Sequence, residues 1–290
     1  MIYTIQPRAG LSRLELQQIQ GLAQACEQDE GLTMKLNWSL LHTRPPNVVN
    51  DFLCYDQANL VGYLALYTFD GTPQAEATVM VHPAHRQKHL CRQLLKTASE
   101  ALAARQIFEI LFICEEKSGS GRACLKAIGA TYDNSEFKMT LGQPVSPKQV
   151  SGLQLRPATV ADHPTMAGLD QTCFDVAPQA ALEMLENPAL TEQRRNFVAT
   201  LDGRLVGKIQ VMLGREEIYI FGFCLLPESR GRGLGRAILT QTLRQLGLER
   251  RQPISLEVAV KNMPAFNLYR RCGFEVATTY DYYRYPINLA

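Results

Sequence analysis

The sequence predicts an α+β protein with mixed sheets, arranged as two tandem domains of one fold. Its 290 residues are enough for two domains of about 145 residues each. Matching residues also recur at a constant offset of 144 positions, which indicates a duplicated unit. The matched pairs are Pro83 and Pro227, Arg86 and Arg230, and Gly129 and Gly273.

A stretch that contains proline and glycine divides the two copies. Residues 142–149 hold two prolines, one glycine and no apolar periodicity, which is typical of a linker. We therefore expect a first domain at 1–142, a linker at 143–152 and a second domain at 153–290.

The periodicity of apolar residues predicts the elements of the first half. A strand at 2–5 precedes a helix at 11–26, and the breaker at 43–47 ends a weaker helical segment at 32–42. Apolar runs then predict strands at 51–56, 60–69, 76–81, 107–114 and 137–141, with helices at 90–104 and 122–128.

The same order of elements returns in the second half. A strand at 153–156 precedes a helix that opens at 157–162, and a turn at Asp202-Gly203 joins strands at 196–201 and 205–213. After them come a strand at 218–226, a glycine-rich turn, a helix at 236–248, a strand at 254–260, a helix at 264–272 and a terminal strand pair within 273–286. In this part of the chain, Leu205-Val206-Gly207 repeats Leu60-Val61-Gly62 at an offset of 145.

The composition is that of an ordinary folded protein, with 46% hydrophobic and 20% charged residues. A net charge of +2 is too small to favour nucleic acid or a membrane surface as the partner. The sequence contains no run of 18 apolar residues, so we expect no segment that spans a membrane. The N-terminus lacks the apolar segment of a signal peptide. The eight cysteines contain no Cys-x-x-Cys motif, so we expect reduced thiols in a cytoplasmic protein. The sequence does not predict the oligomeric state.

The stretch at 227–236 is the clearest candidate for a binding site. Its three glycines leave backbone N–H groups uncovered at the start of a helix, where the helix dipole is positive. Its three arginines add full charges, so the turn is suited to a phosphate-bearing ligand. These residues are Gly231, Gly233, Gly235, Arg230, Arg232 and Arg236. The stretch is neither a Walker loop nor a dinucleotide-binding turn, because the spacing differs from both.

The spacing Arg-x-x-Gly-x-Gly, from Arg230 to Gly235, resembles the acetyl-CoA pyrophosphate loop of GNAT superfamily N-acetyltransferases. The later series resembles the distal motif of the family, in particular that of ribosomal-protein N-terminal acetyltransferases. It consists of Leu256-Glu257-Val258, Asn262, Tyr269 and Gly273-Phe274. The tandem arrangement is similar to that of mycothiol synthase and related two-GNAT proteins. The resemblance implies that each half is a mostly antiparallel, splayed sheet flanked by helices.

The resemblance also implies a reaction, in which the second domain transfers an acetyl group from acetyl-CoA to a primary amine without a metal ion. The amide of Leu225 or Leu226 would meet the acetyl carbonyl, and Asn262 would touch the cofactor arm. Arg230 and the loop amides would hold the pyrophosphate. Those amides belong to Gly231, Arg232, Gly233, Leu234, Gly235 and Arg236. Candidates for the acceptor pocket are Phe174, Tyr219, Phe221 and Tyr282.

Tyr269 and Glu257 are the candidate acid and base. Tyr269 occupies the position of the tyrosine that, in the family, protonates the departing thiolate; the alternative is an ordinary core tyrosine. The Glu257 side chain points away from those of its apolar neighbours in the strand. Glu257 precedes Tyr269 by twelve positions, which is the base–acid spacing of the ribosomal-protein acetyltransferases. The alternative for Glu257 is a structural carboxylate.

The first half lacks this set of residues. The offset of 144 matches Gly233, Gly235, Glu257, Asn262 and Tyr269 with His89, Cys91, Ile113, Ser118 and Leu125. Bulky side chains would crowd amides that must approach a phosphate, so we expect a non-catalytic copy. The His82, His85, His89 and Cys91 spacing is not that of a zinc site, and a basic turn is favoured there.

Two other functions stay open. One is a protein N-terminal acetyltransferase instead of a small-molecule enzyme. The other is a non-catalytic, acyl-CoA-binding regulatory or scaffold protein, against which the presence of Glu257, Asn262 and Tyr269 argues.

Overall fold

The computed structural model describes residues 2–68, 73–187, 193–249 and 252–287. Twelve strands lie in this part of the chain: β1 (Tyr3–Arg8), β2 (Asp51–Asp56), β3 (Asn59–Thr68), β4 (Gln74–Val81), β5 (Glu109–Glu115), β6 (Thr131–Leu141), β7 (Leu153–Pro157), β8 (Arg194–Leu201), β9 (Arg204–Leu213), β10 (Ile218–Leu225), β11 (Ile254–Ala259) and β12 (Phe274–Pro286).

Eight α-helices accompany these strands in the described ranges. They are α1 (Arg13–Glu30), α2 (Trp38–His42), α3 (Leu90–Ala103), α4 (Gly119–Ile128), α5 (His163–Phe174), α6 (Pro178–Glu186), α7 (Leu234–Glu249) and α8 (Met263–Arg271). None of the described helices is long and apolar enough to cross a membrane.

The chain divides into two compact units, one formed by 1–136 with 278–290 and the other by 137–277. The sheet of the first unit has the strand order β1-β2-β3-β4-β5-β12. The sheet of the second unit has the order β7-β8-β9-β10-β11-β6. In both units the only parallel pairs among the strand registers described are the two equivalent ones, β4 with β5 and β10 with β11. The predicted fold class, a mostly antiparallel mixed sheet with helices in each of two units, is confirmed.

Local capping and turn residues explain where several helices begin and end. Ser12 and Glu15 form a capping box at the start of α1, and Gly31 ends that helix in the left-handed conformation. Gly129 and Gly273 follow α4 and α8 with φ values of 85° and 95°. The duplicated glycines therefore make the same left-handed turn in the two units.

The last strand contradicts the prediction of a terminal strand pair. Residues 274–286 form one continuous strand, and Tyr280 to Pro286 pair antiparallel with Glu115 to Glu109 of β5. The end of the chain thus belongs to the first unit. Conversely, residues 137–141 of β6 belong to the second unit, in whose core Met139 is fully buried. The compact units therefore differ from the boundaries predicted at 1–142 and 153–290.

Other differences from the predicted elements are small. The helical segment expected at 32–42 is limited to α2, and the sequence pattern did not predict α6 as a separate helix. Phe69, the last residue of the strand predicted at 60–69, lies outside the described residues. The core of the second unit packs Ile238 and Leu239 of α7 against β9, β10 and β11. This packing fixes the helix start relative to the strand that precedes the glycine-rich turn.

Candidate active site

The strands β10 and β11 separate at the point where the predicted site begins. They pair in parallel at Ile218, Tyr219 and Ile220, which face Ile254, Ser255 and Leu256. Both strands continue beyond these pairs, to Leu225 and Ala259. The described pairing of β10 with β11 therefore ends at Ile220, and the space between the two strands beyond this point is called the gap below.

A β-bulge at Gly222 changes which side chains of β10 face the core. The register with β9 shifts between Phe221 and Cys224, and Gly222 has a φ of 53°. Before the bulge Ile218 and Ile220 lie in the core, whereas beyond it Phe223 and Leu225 pack against the same cluster. A regular strand would have turned residues 222 and 224 to that side, because side chains alternate along a strand.

The bulge has no counterpart in β4 of the first unit. There the register with β3 is continuous, from the pair Gly62–Val81 to the pair Thr68–Ala75. In the second unit Leu225 pairs with Gly207, whereas Phe221 pairs with Gln210. Between these two pairs, β9 is one residue shorter than the equivalent segment of β3. The sequence offset between matched residues of the two units therefore changes from 145 before this segment to 144 after it.

The hydrogen bonds of β10 decide between the two amides predicted to meet an acetyl carbonyl. The Leu226 N–H donates to the carbonyl of Val206, at 2.9 Å. Of the two alternatives, the Leu226 amide is therefore the one already bonded, on the β9 side. Successive residues of a strand direct their N–H groups to opposite sides, so the amide of Leu225 points into the gap.

The glycine-rich turn follows directly after this strand. A 3-10 turn at Pro227–Ser229 leads to Gly231 and Gly233, which have φ values of 75° and 78°, and α7 begins at Leu234. These left-handed conformations explain the two glycines. Arg230 is held in the turn because its Nε donates to the carbonyl of Leu225, at 3.1 Å.

The remaining loop residues have distinct surroundings. The Leu234 side chain is buried in the core, so only its backbone is available to a ligand. A β-carbon on Gly235 would lie 3.1 Å from Leu268 Cδ2, so this glycine lets α7 pack closely on α8. The Arg232 and Arg236 side chains are exposed, and no ion pair of either is found in the described part of the chain. Their charges are thus available to an anion.

Lys148 adds a positive charge at the turn that is not evident from the sequence. A β-carbon built on Gly233 would collide with the Lys148 ammonium. The backbone N–H of Lys148 donates to Oγ1 of Thr240 on α7, at 3.0 Å. Its position in the predicted linker gave no signal, because only the fold brings that segment to the start of α7.

Tyr269 lies on α8 with its ring in an aromatic environment. The Phe223 and Phe274 rings are 6.5 Å and 6.2 Å away, centroid to centroid. Burial, with smaller contributions from Cys224 and Cys272, raises the pKa of Tyr269 to about 12. No hydrogen bond of the Tyr269 hydroxyl is found among the described residues. The phenol is therefore protonated at neutral pH, and its proton is available for transfer.

Glu257 is brought together with two of the acceptor-pocket candidates. The Tyr219 hydroxyl donates to Oε2 of Glu257 at 3.2 Å, and the Tyr219 and Phe221 rings stack at 6.3 Å. The Arg194 guanidinium lies 5.8 Å from the centroid of the Phe221 ring. A half-buried carboxylate beside an aromatic ring is an arrangement that can accept a proton from an amine.

The remaining candidates, Asn262, Phe174 and Tyr282, lie on three different elements of the structure. Asn262 caps α8, since its Oδ1 accepts from the Ala265 N–H at 3.3 Å. Phe174 ends α5 and is 46% exposed. Tyr282 belongs to the first unit, where it is buried and its hydroxyl donates to Glu136 at 2.6 Å. The expectation that Tyr282 lines a pocket of the second domain is therefore wrong, because β12 pairs with β5.

A buried polar network supports the bulge. Lys208 is fully buried, and its ammonium donates to Asp170 at 2.6 Å and to Oε1 of Gln210 at 2.9 Å. The Gln210 amide donates in turn to Asn196 Oδ1 at 3.0 Å. Gln210 Oε1 occupies the space that a β-carbon on Gly222 would need. A lysine and a glutamine within the apolar strand β9 were the sequence signal for this network.

The first unit repeats the shape of the turn but not its charge. Gln87 and His89 adopt the left-handed conformation, with φ values of 61° and 59°, as Gly231 and Gly233 do. The backbone thus keeps its path without glycine, at a cost of about 1–2 kcal/mol per residue. Arg86, however, forms ion pairs with two acidic side chains of α1. They are Asp29 at 2.6 Å and Glu30 at 3.2 Å.

Glu30 also occupies the start of α4. It accepts hydrogen bonds from the Ser118 hydroxyl at 2.7 Å and the Ser120 N–H at 3.1 Å. Burial opposes the ionisation of this carboxyl, but these hydrogen bonds and the Arg86 charge outweigh it and lower the pKa of Glu30. A carboxylate of the protein itself therefore lies where an anionic ligand would bind. No cluster of metal-ligating side chains is found among the described residues.

The comparison with known proteins agrees with this duplicated geometry. The sequence profile of the acetyltransferase (GNAT) family matches the chain twice, at residues 13–125 and 164–274. The chain belongs to the GNAT family. Members use acetyl-CoA as the acetyl donor, and the chain is accordingly an acetyl-CoA-dependent N-acetyltransferase that acts on an amine.

Three individual proteins are also similar to this chain, in sequence or in structure. A mycothiol acetyltransferase of Streptomyces avermitilis is 28% identical over 248 residues, which cover 78% of this chain and 76% of the relative. The peptidyl-lysine N-acetyltransferase YiaC of Escherichia coli is 32% identical over 92 residues, 32% of this chain and 58% of the relative. A tandem GNAT protein from the clavulanic acid biosynthesis pathway has a TM-score of 0.78 and 18% identity, with both chains fully covered. The last of these comparisons shows the tandem GNAT fold.

Proposed function

We propose that the second unit catalyses the acetyl transfer, with a small-molecule primary amine as the acceptor, and that the first unit is non-catalytic. The observation that carries this proposal is the difference between the duplicated turns. The turn at Arg230–Arg236 keeps exposed cations, whereas Arg86 is paired with Asp29 and Glu30. The bulge at Gly222 supports the same assignment, because β4 has an unbroken register.

The residues of the second unit fit acetyl-CoA. The left-handed turn at Gly231 and Gly233 presents amides at the start of α7, and Lys148 and the loop arginines supply charge for the phosphates. The amide of Leu225 is directed at the gap between β10 and β11, where it would hydrogen-bond to the acetyl carbonyl. Asn262 would contact the cofactor arm from the start of α8.

Two side chains would move the protons. Acetyl-CoA supplies a thioester that is open to attack by a neutral amine. Glu257 would accept the proton of the incoming ammonium, directly or through a water molecule, while Tyr219 orients the carboxylate. Tyr269 would protonate the departing thiolate; its pKa, which burial raises to about 12, leaves the phenol protonated at neutral pH.

Similarity to the mycothiol acetyltransferases, which extends over both halves of the chain, favours a small-molecule acceptor. The stacked Tyr219 and Phe221 rings would form one wall of its pocket, with Arg194 beside them. Phe174 is a further pocket candidate. The shorter match with a peptidyl-lysine acetyltransferase favours the second candidate function, a protein or peptide acceptor.

The test is acceptor-dependent release of thiol from acetyl-CoA, measured with a panel of small amines and peptides. We expect turnover by the wild-type protein with small amines and a large loss for Tyr269→Phe. Turnover with peptides alone would favour a protein acceptor. Binding of acetyl-CoA without thiol release on any amine would instead favour a regulatory binding protein.

A further inference from the structure

We propose that Cys91 and Cys124 of the first unit form a reversible disulfide that ties α3 to α4. Their sulfur atoms lie 2.6 Å apart, although the residues are 33 positions apart in the sequence. A disulfide bond is about 2.05 Å long, so oxidation needs only a small further approach of the two sulfurs.

Both thiols are partly accessible to a reagent. Five of the eight cysteines are buried, and Cys173 is the only other cysteine with intermediate exposure. The hydrogen bond with Cys124, together with burial, raises the pKa of Cys91, which keeps this thiol protonated at neutral pH. Hydrogen bonding with Cys91 lowers the pKa of Cys124, with burial opposing the shift and Arg92 assisting it. Cys124 is therefore the better nucleophile of the pair.

The second unit makes a close contact between its helices at the equivalent positions. Cys91 and Cys124 correspond to Gly235 and Leu268, which are also in close contact, since a β-carbon on Gly235 would lie 3.1 Å from Leu268 Cδ2. Arg92 crosses the same junction in the first unit, where its Nη2 donates to the Ala127 carbonyl at 2.8 Å. A covalent bond would thus replace a packing contact that the fold already makes.

The oxidant that fits this pair is a low-molecular-weight disulfide. The Cys124 thiolate attacks one of its sulfurs, forms a mixed disulfide and releases one thiolate. Cys91 loses its proton to solvent and attacks the Cys124 sulfur, which forms the internal bond and releases the second thiolate. Two protein thiols are oxidised, and one small disulfide is reduced to two thiols. The cross-link closes a long loop and stabilises the first unit.

The experiment treats the full chain with oxidised glutathione, alkylates the remaining thiols and maps the peptides by mass spectrometry without reduction. We expect one linked pair of peptides that contain Cys91 and Cys124, a mass lower by two hydrogens, and six alkylated cysteines out of eight. Reduction should restore all eight. The melting temperature should rise by roughly 5 °C on oxidation.

Two variants and a matched control complete the test. Cys91→Ser and Cys124→Ser should lose both the linked peptides and the rise in melting temperature, with circular dichroism to verify folding. Cys173→Ser, which removes the other partly exposed thiol, should keep them. Alkylation of all eight cysteines in the oxidised wild-type chain, or a stable glutathione adduct on Cys124, would overturn the proposal. A linked peptide without a rise in melting temperature would overturn the stabilising role.

Discussion

The side-chain oxygen of Gln210 occupies the position that a β-carbon on Gly222 would take. Only glycine is therefore suited to this position, for two reasons: its φ of 53° is left-handed, and the contact leaves no room for a β-carbon. Lys208 holds the Gln210 oxygen in place at 2.9 Å. Several residues of β9 thus fix the bulge that directs the Leu225 amide into the gap.

Gly222→Ala should distort the bulge. We expect kcat/KM to fall about 100-fold, because small displacements of positioning groups are costly, and unfolding free energy to fall by roughly 1–3 kcal/mol. The matched control is Gly247→Ala on α7, where no atom lies within 4 Å of an added β-carbon. Wild-type turnover by Gly222→Ala would show that the bulge does not position the reaction.

Tyr269→Phe should lower kcat by about 10²–10⁴ and leave the KM for acetyl-CoA nearly unchanged, because only a proton donor is removed. An acetyl thioester of a more acidic thiol needs no protonation of its leaving group, so it should restore the rate. The control is Tyr132→Phe, an exposed tyrosine of the first unit. Equal losses with both thioesters would favour the alternative of a core tyrosine.

The pH dependence of turnover follows from the raised pKa of Tyr269. The phenol acts in its protonated form, and a pKa of about 12 in place of 10 extends that form to higher pH. We expect no loss of kcat from this group between pH 7 and pH 10, and rate profiles of the same shape for the wild type and Tyr269→Phe. A falling limb below pH 10 that disappears in Tyr269→Phe would contradict the assignment.

Glu257→Gln tests the base. We expect kcat to fall by about 100-fold or more while acetyl-CoA binding is retained, because the amide cannot accept the proton. Tyr219→Phe should have a smaller effect. In the double variant the two losses should not add, since the side chains are joined by a hydrogen bond of 3.2 Å. A small loss in Glu257→Gln would favour a structural carboxylate.

Lys148→Ala should weaken acetyl-CoA binding without changing kcat. We expect the KM for acetyl-CoA to rise about 5–10-fold at low salt and less at high salt, as for a partly exposed charge pair. Lys96→Ala, which removes an exposed lysine of α3 in the first unit, is the control. An unchanged KM would show that Lys148 does not contact the phosphates.

Local patterns predicted much of this structure. The duplication, the strand that leads to the turn and the glycine-rich turn itself were all accessible from short stretches of sequence. The pairing of segments that are distant in the sequence could not be predicted in this way. The pairing of β12 with β5, which moves Tyr282 to the first unit, and the contact of Lys148 with Gly233 depend on packing between distant segments. The left-handed Gln87 and His89 show that the first turn differs in charge more than in backbone shape.

The central claim is that the second unit carries the acetyl transfer and the first does not, so we expect acetyl-CoA to bind at the turn of the second unit alone. The most direct test is the stoichiometry of binding by titration calorimetry. We expect one site per chain in the wild type and in His89→Gly, and none in Gly233→His, whose added side chain would displace the Lys148 ammonium and cover the turn, at a φ of 78° that strains any residue but glycine. A binding site that survives in Gly233→His, or is lost in His89→Gly, would contradict the account.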